Sequence, residues 1–155
     1  MTSLTLLCTD GSDLATEALA AGLRVLAPAE RIVVVTVVEP VDASLLLGAS
    51  GFAGGVIDEQ QYEESVEAHR DAAEAILGAA VSALGLDGNA AVETVAIEGD
   101  PGRALCDLAA ESGASVIVAG SRGRGGLKRA VLGSVSDHLV RNAPCPVLLS
   151  GPAAD

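Results

Sequence analysis

Residues Ile32 to Val38 read IVVVTVV, a near-continuous β-branched run with no polar face. A strand that faces water on one side alternates apolar and polar side chains; one without a polar face is covered on both sides, as a central strand of a parallel sheet is. Parallel neighbours need helical crossovers between them, so the rest of the chain must supply helices in alternation with further strands. It does. Leu4 to Thr9, Ala90 to Ile97, Val116 to Ala119 and Val147 to Leu149 are short apolar runs that read as strands.

Helical patterns fill the intervals. Asp10-Gly11-Ser12-Asp13 is a turn and cap, followed by Ala15, Ala18, Leu19, Gly22, Val25 and Leu26 at helical spacing and ended by Pro28. Asp58 to Leu84 carries Ala73, Ile76, Leu77, Ala80 and Leu84 on one face; Glu63, Glu64, Glu67 and Glu74 mark a solvated face opposite. Asp100 caps a third helix with Pro101 at its first position, Leu105, Leu108 and Ala109 facing inward, and Gly113 as its stop. The last helical pattern starts near Gly133, with Val131, Val135 and Leu139 inward. Five strands alternating with four helices make an α/β, doubly wound, open parallel sheet of Rossmann-like type. The 155 residues are expected to form one domain, 1–155, with an irregular stretch from Glu39 to about Gly55.

Composition narrows the function. Half the residues are hydrophobic but only Phe52 and Tyr62 are aromatic, so the core must be built from Val, Leu, Ile and Ala. No apolar run approaches the length of a membrane span and no basic-then-apolar leader opens the chain, which makes a soluble cytoplasmic protein with no membrane partner the expectation. A formal net charge of −12 argues against nucleic acid. Cys8, Cys106 and Cys145 are odd in number and widely spaced, and read as small buried hydrophobes rather than a disulfide framework or metal site. His69 and His138 stand without a ligand pattern, as helix residues at the edge of packing.

The stretch from Ser115 to Ser150 carries the chemistry. An apolar run ends in Gly120, the loop SRGRGGLKRAVL follows, and Gly133-Ser134 opens the last helix. Glycine at 120 and 123 allows a sharp turn and lets a ligand approach bare backbone. Gly133-Ser134 sets free N–H groups and a hydroxyl at a helix start, where the dipole favours an anion. Arg122, Arg124, Lys128, Arg129 and Arg141 are five of the nine basic residues of the chain. A basic island in an acidic protein suits a bound anion. Glycine and arginine alone leave a solvated surface loop equally open. The loop is neither G-x-x-x-x-G-K-[ST] nor G-x-G-x-x-G.

Taken with its spacing, the stretch resembles the nucleotide-binding branch of the universal stress protein family. Gly120-Ser121-Arg122-Gly123, nine residues, then Gly133-Ser134 matches that branch's G-x-x-G-(nine residues)-G-[ST] pattern. Thr9-Asp10-Gly11-Ser12 matches the family's first strand-to-helix turn, and Ala143 to Val147 its last turn. The resemblance implies strand order 3-2-1-4-5, which brings the carboxyl ends of strands one and four together at the switch point where such sheets bind ligands. It implies ATP across that cleft, with Thr9, Asp10 and Val37 flanking the adenosine and Val37 contributing mainly its backbone. Gly120, Arg122, Gly123, Gly133, Ser134, Val135 and Ser136 would hold ribose and phosphates, and Ala119 would pack beside the sugar or base. Mg²⁺ or Mn²⁺ would bridge phosphate oxygens without a dedicated protein cage. Asp10, facing a phosphate loop, would meet a ribose hydroxyl or the metal; the competing reading is that it merely closes a turn with Gly11. The last strand, Pro146 to Leu149, is an apolar edge that in the family pairs across a dimer axis, so a homodimer is expected.

Three functions follow from that resemblance. The first is an ATP-binding regulator or sensor in the stress response, acting on a protein partner that the residues do not identify. The second is a slow ATPase or nucleotide hydrolase, which would need a group to position water; Asp10 is the one candidate and its expected place is elsewhere. The third is a nucleotide-free dimeric adaptor, against which the intact glycine spacing counts. An AMP or cyclic AMP module differs from the first only in its phosphate contacts. The expectation is a regulator without a catalytic role.

Overall fold

The computed structural model describes residues 3–42, 58–122 and 132–151. The elements alternate as expected: β1 (Leu4–Cys8), α1 (Asp13–Val25), β2 (Arg31–Val38), α2 (Glu59–Ala83), β3 (Val92–Glu98), α3 (Pro101–Ser112), β4 (Val116–Gly120), α4 (Ser134–Asn142) and β5 (Val147–Ser150). All pairings are parallel and the order is β3-β2-β1-β4-β5. The chain therefore winds outward from β1 through β2 to β3, then crosses back to β4 on the other side of β1. That reversal is the switch point.

Strand alternation divides the core into two layers. Leu4, Leu6 and Cys8 of β1, Val33 and Val35 of β2, and Ile117 and Ala119 of β4 point to one face, against Leu105, Cys106 and Ala109 of α3 and Leu139 of α4. Leu7, Ile32, Val34 and Val118 point to the other, against Leu19 of α1 and Leu77 and Ala80 of α2. The Ile32–Val38 run lacks a polar face because its strand has a helical layer on each side. The three cysteines, far apart in sequence, all join the first layer, Cys8 and Cys106 buried and Cys145 half-buried.

Local signals explain the helix limits. Ser12 accepts from the Ala15 N–H, Asp58 forms a capping box with Gln61, and Asp100 accepts from the Arg103 N–H ahead of Pro101. Gly113 ends α3 in the left-handed conformation, φ 66°. One expected core residue is corrected. Val25 is 72% exposed, because the buried stripe Ala15, Ala18, Leu19, Gly22 continues four residues on at Leu26, which packs on the second layer. Val131 and residues 43–57 lie outside the described residues.

Gly22 sets how close α1 comes to the sheet. A Cβ there would stand 2.5 Å from Val118 Cγ1 and 3.4 Å from Leu148 Cδ2. Val118 is fully buried and stiff at χ1, so it has nowhere to go. Helix propensity favours Ala over Gly by about 1 kcal/mol, while overpacking costs about 1–3 kcal/mol. The packing cost is expected to win. Gly22→Ala should lower the midpoint of thermal unfolding by a few degrees; a higher midpoint would show that α1 lifts off the sheet at little cost.

The two sheet edges differ. β3 carries exposed Glu93 and Glu98, with Glu93 paired to Arg31 at 2.9 Å. β5, Val147 to Ser150, is half-buried along its length and uncharged. Charge on an edge discourages pairing with another chain and its absence permits it. Among the described residues, no helix is long and apolar enough to cross a membrane.

Candidate functional site: a cleft at the switch point

A cleft of about 250 Å³ opens at the carboxyl ends of β1 and β4. Ten of the eleven residues expected at a nucleotide site line it: Thr9, Asp10, Val37, Ala119, Gly120, Arg122, Gly133, Ser134, Val135 and Ser136. They come from four separate stretches that only the sheet order brings together. Gly123 lies outside the described residues, as do Arg124, Lys128 and Arg129.

On the β1 side, Thr9 and Asp10 build the turn into α1. The Thr9 hydroxyl accepts from the Gly11 N–H at 3.0 Å, and Gly11 has φ 80°, a conformation that favours glycine. Asp10 Oδ1 accepts from the Ser12 N–H at 3.0 Å and the Ser12 hydroxyl at 2.6 Å, while Ser12 Oγ accepts from the Ala15 N–H at 3.1 Å. Asp10 thus closes the turn as well as lining the cleft, and Ser12, as expected, caps α1.

On the β4 side, the strand ends at Gly120 and α4 starts from its N-cap, Gly133. The Gly133 N–H donates to Ser121 O at 3.0 Å, and the Ser121 N–H donates to Ser150 O on β5 at 2.7 Å. At Gly120 a Cβ would lie 2.9 Å from the Arg122 carbonyl oxygen, so the turn itself demands glycine. Gly133 is different. Its φ of −63° suits any residue, and among the described residues a Cβ would come no closer than 3.7 Å to another atom. Among the described residues, nothing requires glycine at 133.

Gly133 is the N-cap of α4 and provides no side-chain cap, whereas α1, α2 and α3 each have one. The Ser134, Val135 and Ser136 N–H groups occupy the first turn, where helices have no internal acceptor. All three residues line the cleft. Half-exposed Arg122 stands on the same wall. This side can hold an anion through backbone donors, the helix dipole and a guanidinium.

The cleft also has a floor that motif reading missed: Cys8, Ala15, Val35, Pro101 and Leu105. It is apolar and fit to take a flat ring or a sugar face. A signal for part of it was present. Asp100-Pro101 reads as a helix start after a strand, which puts Pro101 at the carboxyl edge of a parallel sheet, with Leu105 one turn on. The Cys8 thiol is pushed up to about 12, by burial first and by the neighbouring Cys145 and Cys106 thiols after that. It is an apolar floor residue, not a nucleophile.

That shift has a consequence above neutral pH. An unfolded thiol ionises near 9 and the folded Cys8 near 12, so its contribution is complete below 9 and is lost as pH climbs towards 12. The slope is at most about 1.4 kcal/mol per pH unit. Denaturant titrations from pH 8 to 10.5 should show the parent losing stability more steeply than Cys8→Ala. Parallel slopes would mean that Cys8 ionises freely in the folded state.

The model of the universal stress protein family matches residues 1–150. The chain belongs to the universal stress protein family. A universal stress protein of Methanocaldococcus jannaschii is 30% identical over 141 residues, covering 91% of this chain and 77% of that one. One from Thermus aquaticus is 34% identical over 145 residues, covering 93% and 95%. Among solved structures, a universal stress protein in complex with cAMP superposes with a TM-score of 0.64 at 22% identity, over 98% of each chain. A universal stress protein family member from Arabidopsis thaliana with AMP bound superposes with a TM-score of 0.62 at 15% identity, over 99% of this chain and 94% of that one. At these identities the superpositions establish the universal stress protein fold.

Proposed function

We propose that this universal stress protein binds an adenine nucleotide in the switch-point cleft, with ATP as the ligand, and acts as a nucleotide-dependent regulator in the stress response. The observation that carries the reading is the uncapped start of α4 opening onto the cleft opposite Asp10. The donor set fits the ligand. Backbone N–H groups of Ser134, Val135 and Ser136 with Arg122 suit phosphates, and Gly123 belongs to the same glycine pattern in the sequence. The apolar floor suits adenine beside Val37 and Ala119, and the Thr9–Asp10 turn suits a ribose. The AMP and cAMP complexes of fold neighbours support an adenine nucleotide as the class.

Mg²⁺ or Mn²⁺ would arrive on the phosphates, since among the described residues no group of three His, Cys, Asp or Glu gathers to hold an ion. The metal would neutralise phosphate charge, and Asp10 is the acidic side chain within reach of the cleft. Hydrolysis would need a group to position water. Asp10 Oδ1 is already engaged by Ser12, which favours a binding role over a catalytic one. The uncharged edge of β5 supports a homodimer paired along residues 146–149, and a cytoplasmic location is part of the same proposal.

The test is mass spectrometry and absorbance on nucleotide released from the purified protein, then titration with ATP, AMP and cAMP in the presence of Mg²⁺. Release of an adenine nucleotide and saturable binding are expected, with ATP the tightest. Preference for AMP or cAMP would keep the cleft and replace the ligand. A protein that carries no nucleotide and ignores all three would overturn the reading.

A further inference from the structure

Ser136 was expected to touch the ligand, yet its hydroxyl is committed to the protein. It is 4% exposed, and it donates to the carbonyl oxygen of Gly120 at 2.7 Å. That bond spans sixteen residues of chain and joins the first turn of α4 to the last residue of β4.

The rest of α4 is held elsewhere. Leu139 anchors it in the core, and His138 packs its ring on Gly102 of α3, where a Cβ would come within 2.7 Å of the imidazole. These contacts fix the body of α4 against α3. Between the first turn of α4 and the end of β4, the described residues show two hydrogen bonds: Gly133 N–H to Ser121 O, and Ser136 hydroxyl to Gly120 O. The first involves a helix-cap backbone, which frays easily. The second is buried and comes from a side chain.

We infer that Ser136 is a positioning residue for the anion-binding end of the cleft, acting through Gly120 to hold the uncapped N–H groups of α4 at a set distance from the β1–β4 floor. This rests on the nucleotide reading above. Its consequence is selective. Floor contacts with a base and sugar come from Cys8, Val35, Pro101 and Leu105, none of which depends on the tether. Phosphate contacts depend on where the first turn of α4 points, and backbone donors lose strength steeply when misaligned.

Calorimetric titration of the full chain with ATP and with adenosine separates the two. In Ser136→Ala, ATP affinity is expected to fall about tenfold, the worth of one buried hydrogen bond, while adenosine affinity stays within about twofold. Circular dichroism checks that the variant folds. Ser136→Cys keeps the volume and weakens the donor, so it should show the same selective loss should the alanine variant prove too unstable. Ser136→Thr keeps the hydroxyl and should restore ATP binding. Unchanged ATP affinity in a folded Ser136→Ala or Ser136→Cys, or equal losses for ATP and adenosine, would overturn the positioning role. A parent protein that binds neither ligand would instead overturn the nucleotide reading beneath it, so the two failures are distinguishable.

Discussion

Gly133→Asp is expected to leave the fold as stable as the parent, or slightly more so, and to weaken ATP binding by about a hundredfold or more. The two effects have opposite signs for one physical reason. The first turn of α4 holds N–H groups without an internal helical acceptor at a positive dipole end, and its N-cap Gly133 makes no side-chain cap hydrogen bond. An aspartate at the N-cap has ordinary geometry there, φ −63° and ψ 157°, with room for its Cβ. It would cap the helix and complement the dipole, worth a few tenths to about 1 kcal/mol. It would also place a negative charge where a phosphate is to sit. Two like charges about 4 Å apart repel by about 4 kcal/mol at an effective dielectric of 20, which outweighs any gain in helix order. Thermal melts and ATP titration check both halves. Undiminished ATP affinity would show that the phosphates do not approach α4, and a large loss of stability would show that the cap is not open.

Leu139→Ala is expected to cost about 2–5 kcal/mol of stability, measured by denaturant unfolding. α4 is nine residues long, and Leu139 is its only large side chain that is fully buried. Leu139 belongs to the same buried layer as Leu105, Cys106, Ala109 and Ile117, so its removal leaves a cavity in that layer. A domain of this size has about 5–15 kcal/mol in total, so the loss is a large share of it. Ligand linkage gives a second readout. ATP at a hundred times its Kd returns about 2.7 kcal/mol to any variant whose folded state still binds. Addition of ATP should therefore recover much of the midpoint lost in Leu139→Ala. Failure of ATP to do so, with the parent responding normally, would place Leu139 among the groups that shape the cleft as well as the core.

Element order, the caps of α1 and α3 and the double-sided burial of β2 were legible in the residues, because each depends on local rules: periodicity of side chains, the hydrogen-bonding of Ser12 and Asp100, and the left-handed turn at Gly113. Val25 was misread because its spacing is right for the buried stripe but the stripe ends on Leu26, a choice made by where α1 leaves the sheet.

The candidate site divides the same way. Glycine spacing and the Thr9-Asp10-Gly11-Ser12 turn marked residues that line one cleft, since turns and helix starts are written in neighbouring residues. What neighbouring residues do not encode is long-range contact. That Gly120 needs to be glycine while the described residues around Gly133 leave room for a side chain depends on the Arg122 carbonyl, 2.9 Å from a Cβ at one, and ordinary van der Waals contacts at 3.7–3.8 Å at the other. That the Ser136 hydroxyl turns to Gly120 depends on α4 folding back across sixteen residues of chain. The apolar floor, and the gathering of Cys8, Cys106 and Cys145 in one layer, exist only once β1, β4 and α3 are packed. Sequence by itself determined the kind of elements and their order, through local propensity and hydrogen bonding; tertiary packing alone decided which side chains meet, because that is set by distances between residues the chain keeps far apart.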